Sequence, residues 1–250
     1  MSKLMNKIAV VTGASKGIGA GIARQLAAEG ATVIVNYNSG RSDAERVVGE
    51  IVSAGGKAVA IGANVAIESE VHALFATVRA QFGRLDILIN NAGIYTFAGV
   101  GEITPAHFHE VYNINVLGLI LASKAAAPLF PDSGGAIVNI SSIVSTLSPP
   151  GALAYVSSKS AVDGVTRSLA KELAGRNIRV NGISPGLIVT EGQAAAGILG
   201  SDLEKFFISI TPLGRAGVPA DVAFPAVFLA SDDARYITGE TLRVSGGAAM

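Results

Sequence analysis

The chain has 250 residues, of which 50% are apolar and 15% are charged, and its 19 basic and 19 acidic residues balance to a formal net charge of zero. With this balance and no local run of Lys and Arg, we expect neither nucleic acid nor a membrane as partner. The absence of Cys excludes disulfides and thiolate metal sites and suits a reducing cytoplasm. The length predicts one domain, residues 1–250, with a large buried core.

Short β-branched runs alternate with longer segments of helical periodicity along the chain, a pattern typical of βαβ units and a parallel sheet. The predicted strands, in chain order, are 7–13, 32–37, 58–64, 85–93, 136–142, 178–186 and 240–247. The predicted helices between them are 18–29, 42–54, 68–82, 104–127, 155–174 and 220–230. We therefore predict an α/β fold, a single-domain, Rossmann-type doubly wound sandwich of about seven parallel strands with helices on both faces.

Glycines dominate the turn between the first predicted strand and its helix, which reads TGASKGIG over residues 12–19. Gly13 permits a tight turn, Gly17 lets the backbone approach a pyrophosphate, and Gly19 allows the helix to pack closely. The spacing G-x-x-x-G-x-G differs from the commoner G-x-G-x-x-G, and a purely structural turn is the alternative. The strand, turn and helix context favours phosphate binding, in which the turn also offers Ser15, Lys16 and Ile18.

No carboxylate ends the second predicted strand, where an NAD site usually places an Asp or Glu for the ribose 2′-hydroxyl. The strand ends in the residues NYNS over 36–39, and the nearest acid, Asp43, lies on the following helix. Charge and hydroxyl donors for a 2′-phosphate are available from Ser15, Lys16, Ser39 and Arg41. The sequence therefore favours NADP(H); the alternative is that the two cations are ordinary solvated charges.

Tyr155 and Lys159 lie four residues apart on a predicted helix and are therefore neighbours on one face. A tyrosine has an ordinary pKa near 10, and an adjacent ammonium would stabilise the phenolate and lower that pKa. Taken alone, such a pair is most often a surface pair. The interpretation depends on residues elsewhere in the chain: Asn90 to Gly93 and Ser141 with Ser142 at the ends of predicted strands, and Asn115 within the sequence YNINVLG.

A long insertion, residues 191–213, follows the predicted strand that ends in Pro185 and Gly186. Insertions of this length in a compact domain are more often lids or binding loops than simple connections. We predict a substrate lid here and refer to residues 191–213 as the lid segment.

Five ordered motifs together resemble the short-chain dehydrogenase/reductase family: TG-x-x-x-G-x-G at 12–19, NNAG at 90–93, a serine at 142, Y-x-x-x-K at 155–159 and PG at 185–186. The resemblance extends over nearly the whole chain and implies an oxidoreductase. It implies that Ser142 holds the substrate oxygen, that Tyr155 transfers the proton and that Lys159 binds the nicotinamide ribose and depresses the tyrosine pKa. Asn115 would position a water that links Lys159 to solvent.

The resemblance also assigns the cofactor contacts. Asn91, Ala92 and Gly93 would line the adenosine ribose region, and Asn64 and Val65 the adenine. The nicotinamide amide would lie against Pro185, Gly186, Ile188 and Thr190. Asn36 and Tyr37, with Ser39, complete the predicted cofactor set. Asn64 departs from the family pattern, because many members carry Asp there.

The predicted substrate wall is almost wholly apolar, which indicates an uncharged hydrophobic ketone or aldehyde. Its members are Ile94, Tyr95, Phe97, Ile143, Val144, Leu147, Leu153, Leu187, Ala194 to Ala196, Ile198, Leu199, Phe206 and Phe207. We predict a carbonyl reductase first. A 3-oxoacyl-carrier-protein reductase is the first alternative, although Arg176 is the one basic residue that suits an acidic carrier. A glucose dehydrogenase would need more polar partners, and a non-catalytic NADP(H)-binding sensor or scaffold is the alternative outside catalysis.

Two further expectations concern metals and assembly. His72, His107 and His109 have no ligand-like partners in the sequence, so no metal is predicted. By resemblance, we expect a homotetramer assembled through the predicted helices 104–127 and 155–174.

Overall fold

The computed structural model describes residues 2–195 and 197–248, and within them seven strands form one parallel sheet. The strands are β1 (Ile8–Val11), β2 (Thr32–Tyr37), β3 (Lys57–Gly62), β4 (Ile87–Asn90), β5 (Gly135–Ile140), β6 (Ile178–Pro185) and β7 (Thr241–Val244). They lie in the order β3-β2-β1-β4-β5-β6-β7, each parallel to its neighbours. The predicted parallel sheet is confirmed.

Helices cover both faces of the sheet. In chain order they are α1 (Gly17–Ala28), α2 (Arg41–Ser53), α3 (Glu68–Phe82), α4 (Pro105–Tyr112), α5 (Gly118–Ala126), α6 (Val144–Leu147), α7 (Leu153–Leu173), α8 (Glu191–Ala195), α9 (Asp202–Ser209) and α10 (Pro219–Ala230). One apolar cluster joins the sheet to α1, α2 and α10, and a second joins it to α3, α5 and α7. The central strands β1 and β4 are buried on both faces, which explains their continuous Ile, Leu and Val runs.

The long helix predicted over 104–127 is confirmed as one continuous helical stretch from Pro105 to Ala126, but its middle is wound differently. A π-helical turn, Asn113–Leu117, lies between α4 and α5. Such turns place one extra residue in a helix and are frequent at functional sites. The segments before and after this turn each keep ordinary helical periodicity, so the sequence pattern does not reveal the π-helical turn.

The strand order reverses between β1 and β4, where the chain runs outward in opposite directions along the sheet. Val11 of β1 is in register with Ile89 of β4, so the residues that follow both strands meet at the same edge. Ligands of open parallel sheets bind outside the carboxyl ends of strands at this kind of position. Within the described residues, no helix combines the length and apolarity needed to cross a bilayer.

Candidate active site

A cavity of about 600 Å³ runs along the carboxyl ends of the strands, from the glycine turn before α1 to Tyr155 on α7. Most of the predicted cofactor residues line it: Gly13, Ser15, Lys16, Gly17, Ile18, Gly19, Asn36, Ser39, Asn64, Val65, Asn91, Ala92, Gly93, Tyr155, Lys159, Pro185, Gly186, Ile188 and Thr190. Tyr37 does not. Its ring packs against Gly62 and the apolar cluster beneath α1, so its assignment to the cofactor site is corrected.

The glycine turn is held from both sides by asparagine side chains. The backbone N–H of Gly13 donates to Asn36 Oδ1 at 3.3 Å, and Asn91 Nδ2 donates to the carbonyl oxygens of Thr12 and Gly13, both at 2.9 Å. Gly13 has a φ of 60°, and a Cβ there would lie 2.8 Å from the Cα of Ala92. This position therefore requires glycine for both backbone conformation and space.

Thr12, the first residue of the glycine motif, has a structural role that the sequence alone did not assign. Its hydroxyl oxygen accepts the backbone N–H groups of Asn91 and Ala92, both at 3.0 Å, and its Oγ1 donates to the carbonyl of Ile89 at 3.3 Å. These bonds fasten the end of β1 to the end of β4. The signal that could have identified Thr12 is its place directly after a buried strand and before the first glycine.

The far end of the cavity presents mixed charge. Lys16 and Ser39 line it, as predicted, but so does Asp43 of α2, whose carboxylate is 3.5 Å from a guanidinium nitrogen of Arg46. Arg41 is corrected: it does not line the cavity, and its Nε donates to Glu45 at 2.8 Å on the exposed face of α2. Lys16 is therefore the cation that the cavity places at this end.

Ser142, Tyr155 and Lys159 come together on the cavity wall at its other end. Ser142 follows β5, and its hydroxyl accepts the backbone N–H of Val144 at 3.3 Å; it lies near enough to the phenol of Tyr155 on α7 to lower the pKa of that phenol. Lys159 lies one turn further along α7, only 5% exposed; its Nζ donates to the carbonyl of Ile140 at 2.9 Å and lies 5.8 Å from the centre of the Tyr155 ring.

Burial shifts the pKa values of both residues toward their neutral forms. Loss of hydration raises the pKa of Tyr155 to about 12, which outweighs the lowering by the Ser142 hydroxyl. Burial likewise lowers the pKa of Lys159 to about 8, against the raising influence of Asp163. In the protein by itself, desolvation therefore dominates the pKa of Tyr155; the lowering by Lys159 together with an oxidised nicotinamide stays a prediction for the cofactor complex.

The π-helical turn places Asn115 behind this group, 2% exposed. Asn115 Nδ2 donates to the carbonyl of Ile94 at 2.9 Å and to Ser158 Oγ at 3.0 Å, and Asn115 Oδ1 accepts the backbone N–H of Ile94 at 2.8 Å. A Cβ on Gly93 would lie 3.2 Å from Asn115 Oδ1 and 3.5 Å from Lys159 Nζ. Asn115 thus lies beside Lys159 but outside the cavity lining.

The wall beyond Tyr155 is mainly apolar, as predicted. The predicted residues that line it are Ile94, Tyr95, Phe97, Ile143, Val144, Leu187, Ile198 and Phe207. Those that do not are Leu147, Leu153, Ala194, Leu199 and Phe206, while Ala196 lies outside the described residues. The lid segment forms α8 and α9, and it adds one polar residue that the sequence reading missed, Gln193.

These residues fit a dinucleotide. The first turn of α1 opens on the cavity through Gly17, Ile18 and Gly19, which suits a diphosphate at a helix N-terminus. Lys159 and Tyr155 lie at the other end, where a nicotinamide would meet a carbonyl carbon. The lid closes over this path, because the backbone N–H of Gly17 donates to Glu191 Oε2 of α8 at 3.0 Å.

Among known families, the one described as "Enoyl-(Acyl carrier protein) reductase" has a model that matches residues 13–249. An uncharacterized oxidoreductase of Methylorubrum extorquens is 50% identical over 247 residues, which is 99% of each chain. A 3-oxoacyl-[acyl-carrier-protein] reductase of Staphylococcus aureus is 43% identical over 98% of this chain and 99% of its own.

Solved structures agree with this assignment. A short-chain dehydrogenase/reductase of Serratia marcescens, solved as a double mutant, superposes with a TM-score of 0.93 at 35% identity, over 99% of this chain and all of its own. The angucycline C-6 ketoreductase LanV with bound NADP superposes with a TM-score of 0.93 at 33% identity, over 99% and 97%. The chain therefore belongs to the short-chain dehydrogenase/reductase family and is a nicotinamide-dependent oxidoreductase that acts on C=O or CH–OH groups.

Proposed function

We propose that the protein reduces an uncharged, largely apolar ketone or aldehyde to an alcohol at the expense of NADPH. The observation that carries the proposal is the convergence of Ser142, Tyr155 and Lys159 on one cavity that also opens on the glycine turn. In this arrangement one cavity holds both reactants, with the proton donor at the reacting end.

When bound, NADPH supplies the hydride. Ser142 holds the carbonyl oxygen of the substrate and stabilises the negative charge that develops there. Tyr155 donates its phenolic proton to that oxygen. With a pKa raised to about 12, the phenol is fully protonated at neutral pH, which suits the reducing direction. The ammonium of Lys159 then stabilises the phenolate that remains, and Asn115 holds the Ile94 backbone beside it.

NADP(H) is preferred to NAD(H) on the charge at the far end of the cavity. Lys16 and Ser39 are placed to bind a 2′-phosphate, and a ketoreductase of the same fold carries NADP. Asp43 opposes this preference in part. We expect a lower KM for NADPH than for NADH, and Lys16→Ala should narrow the difference; a lower KM for NADH in the wild-type protein contradicts the proposal.

A 3-oxoacyl-carrier-protein reductase is the second candidate, and the S. aureus relative at 43% identity favours it. The position of Arg176 counts against this candidate. Within one chain it lies just before β6, at the amino ends of the strands, whereas the cavity lies at their carboxyl ends. Its guanidinium donates to the carbonyls of Ala127 and Phe130, at 2.8 and 3.4 Å. Glucose is disfavoured by the apolar wall, and membership of an enzyme family disfavours a binding-only role.

The decisive experiment follows NADPH absorbance with a panel of aryl ketones, diketones and acyl thioesters. Tyr155→Phe should reduce turnover by at least ~10²-fold while the Kd for NADPH stays nearly unchanged. A fully active Tyr155→Phe variant contradicts the mechanism. Oxidation of NADPH by acyl thioesters alone supports the carrier-protein reading instead.

We also propose a homotetramer in the cytoplasm. Phe108, Leu117 and Ile120 are large apolar side chains exposed along α4, the π-helical turn and α5, and Phe224 and Leu242 are exposed on α10 and β7. Two separate apolar surfaces are what assembly about two axes requires. Light scattering on the purified protein measures the mass, and a monomer at micromolar concentration contradicts the proposal.

A further inference from the structure

Gln193 on α8 lines the cavity and has a buried polar atom without a hydrogen-bond partner among the described residues. This atom is the side-chain oxygen Oε1. A buried carbonyl oxygen without a donor is uncommon in folded proteins and costs free energy. A ligand in the cavity can supply the missing donor when the side-chain amide of Gln193 turns toward it.

The backbone around Gln193 is fixed, so the side chain is presented to the cavity by a defined turn. The backbone N–H of Gln193 donates to Thr190 Oγ1 at 3.2 Å, and its carbonyl accepts the N–H of Ile198 at 3.1 Å. Glu191, two residues earlier, accepts the N–H of Gly17 at 3.0 Å. The first two bonds fix the turn locally, and the bond between Gly17 and Glu191 fastens α8 across the cavity.

Contacts of the neighbouring residue place this turn beside the substrate end. A Cβ on Gly192 would lie 3.1 Å from the hydroxyl oxygen of Tyr95, so this glycine admits the phenol close to α8. The Tyr95 ring in turn meets the ring of Tyr155 edge-on, with 6.2 Å between centroids. Gln193 therefore comes directly after Gly192, which lies against Tyr95, and Tyr95 in turn contacts the ring of the proton donor Tyr155.

We propose that Gln193 is a specificity-determining residue whose Oε1 accepts a hydrogen bond from a hydroxyl or N–H group of the substrate. The preferred substrate is then an otherwise apolar ketone or aldehyde with one hydrogen-bond donor away from the reacting carbonyl. This inference rests on the proposed function and narrows its substrate class. A purely hydrocarbon ketone leaves the oxygen unpaired and is the poorer substrate.

The test compares aryl ketones in matched pairs, a hydroxyl-bearing compound and its methyl analogue, with the hydroxyl placed at each ring position in turn. For at least one position, kcat/KM of the wild-type protein should favour the hydroxyl compound by roughly 5- to 100-fold. Gln193→Leu should bring that ratio close to one. Gln193→Glu, which keeps carboxylate acceptors, should retain the preference, and Gln81→Leu on the exposed surface of α3 is the matched control.

Three outcomes overturn the inference. If the hydroxyl preference is the same in Gln193→Leu and wild type, or is absent at every position, Gln193 does not select the substrate. If Gln193→Leu weakens NADPH binding severalfold without any ketone present, the oxygen contacts the nicotinamide instead. If the wild-type protein reduces none of the ketones, the proposed function fails as well, which distinguishes that result from the other two.

Discussion

Replacing Lys159 with methionine separates the cost of burying its charge from its contribution to the reaction. The pKa of Lys159 is lowered from 10.5 to about 8, and one pKa unit corresponds to ~1.4 kcal/mol. Keeping this ammonium charged at pH 7 therefore lowers the free energy of unfolding by about 3 kcal/mol. Between pH 8 and 10.5, an unfolded lysine holds a proton that the folded one has lost, so the free energy of unfolding rises with pH.

Lys159→Met has no such titration, whereas the loss of the Ile140 hydrogen bond and the change in packing do not depend on pH. We therefore expect the wild-type protein to gain about 3 kcal/mol relative to the variant between pH 7 and 10.5. Urea unfolding at a fixed protein concentration, at four or more pH values, measures the difference. A difference that is flat over this range shows an ordinary lysine pKa and refutes the reasoning.

Two further substitutions test the positioning of the site. Glu191→Ala removes a carboxylate that accepts the Gly17 N–H at the predicted diphosphate site, so the Kd for NADPH in calorimetry should fall several-fold. Glu191→Gln, which removes the negative charge, should shift the Kd in the same direction. A raised Kd in the alanine variant would contradict this competition. Asn115→Ala loses both hydrogen bonds to the Ile94 backbone and should lower the free energy of unfolding by ~1–3 kcal/mol, measured by thermal unfolding. It should also lower kcat at least ~10-fold. An unchanged kcat would show that the π-helical turn has only a structural role.

The sheet and most of the site were predictable because both depend on local patterns. Buried strands read as β-branched runs, and in a parallel sheet whatever follows such a run is delivered to the carboxyl edge. Residues as far apart in sequence as Gly13 and Tyr155 could therefore be placed on one cavity. Arg41 and Tyr37 were misplaced for the same reason: they lie near a strand end, but an ion pair with Glu45 and packing on Gly62 direct their side chains away.

Features that depend on tertiary packing escaped the sequence. The π-helical turn around Asn115 inserts one residue between two stretches that each keep ordinary helical periodicity, and the change of phase between such short stretches does not identify it. Gln193 lies in a segment of small residues, and only the fold of α8 shows that its oxygen is buried. The spacing of Tyr155 and Lys159 reveals a neighbour but not the extent of desolvation, which raises the pKa of Tyr155 in the protein by itself.

The same desolvation decides which group limits the reaction at alkaline pH. Burial raises the pKa of Tyr155 to about 12 and lowers that of Lys159 to about 8, so the ammonium is lost long before the phenol ionises. The phenol of Tyr155 therefore stays protonated over the pH range of an assay, whereas the ammonium charge of Lys159, which stabilises the phenolate, is lost above about pH 8. The rate measured with both NADPH and ketone far below their KM values reports the groups of the free enzyme, so this rate should fall as pH rises past about 8. An alkaline limb near 10 instead would show that Lys159 titrates as an exposed lysine does, and it would contradict the assignment of the limiting charge to this residue.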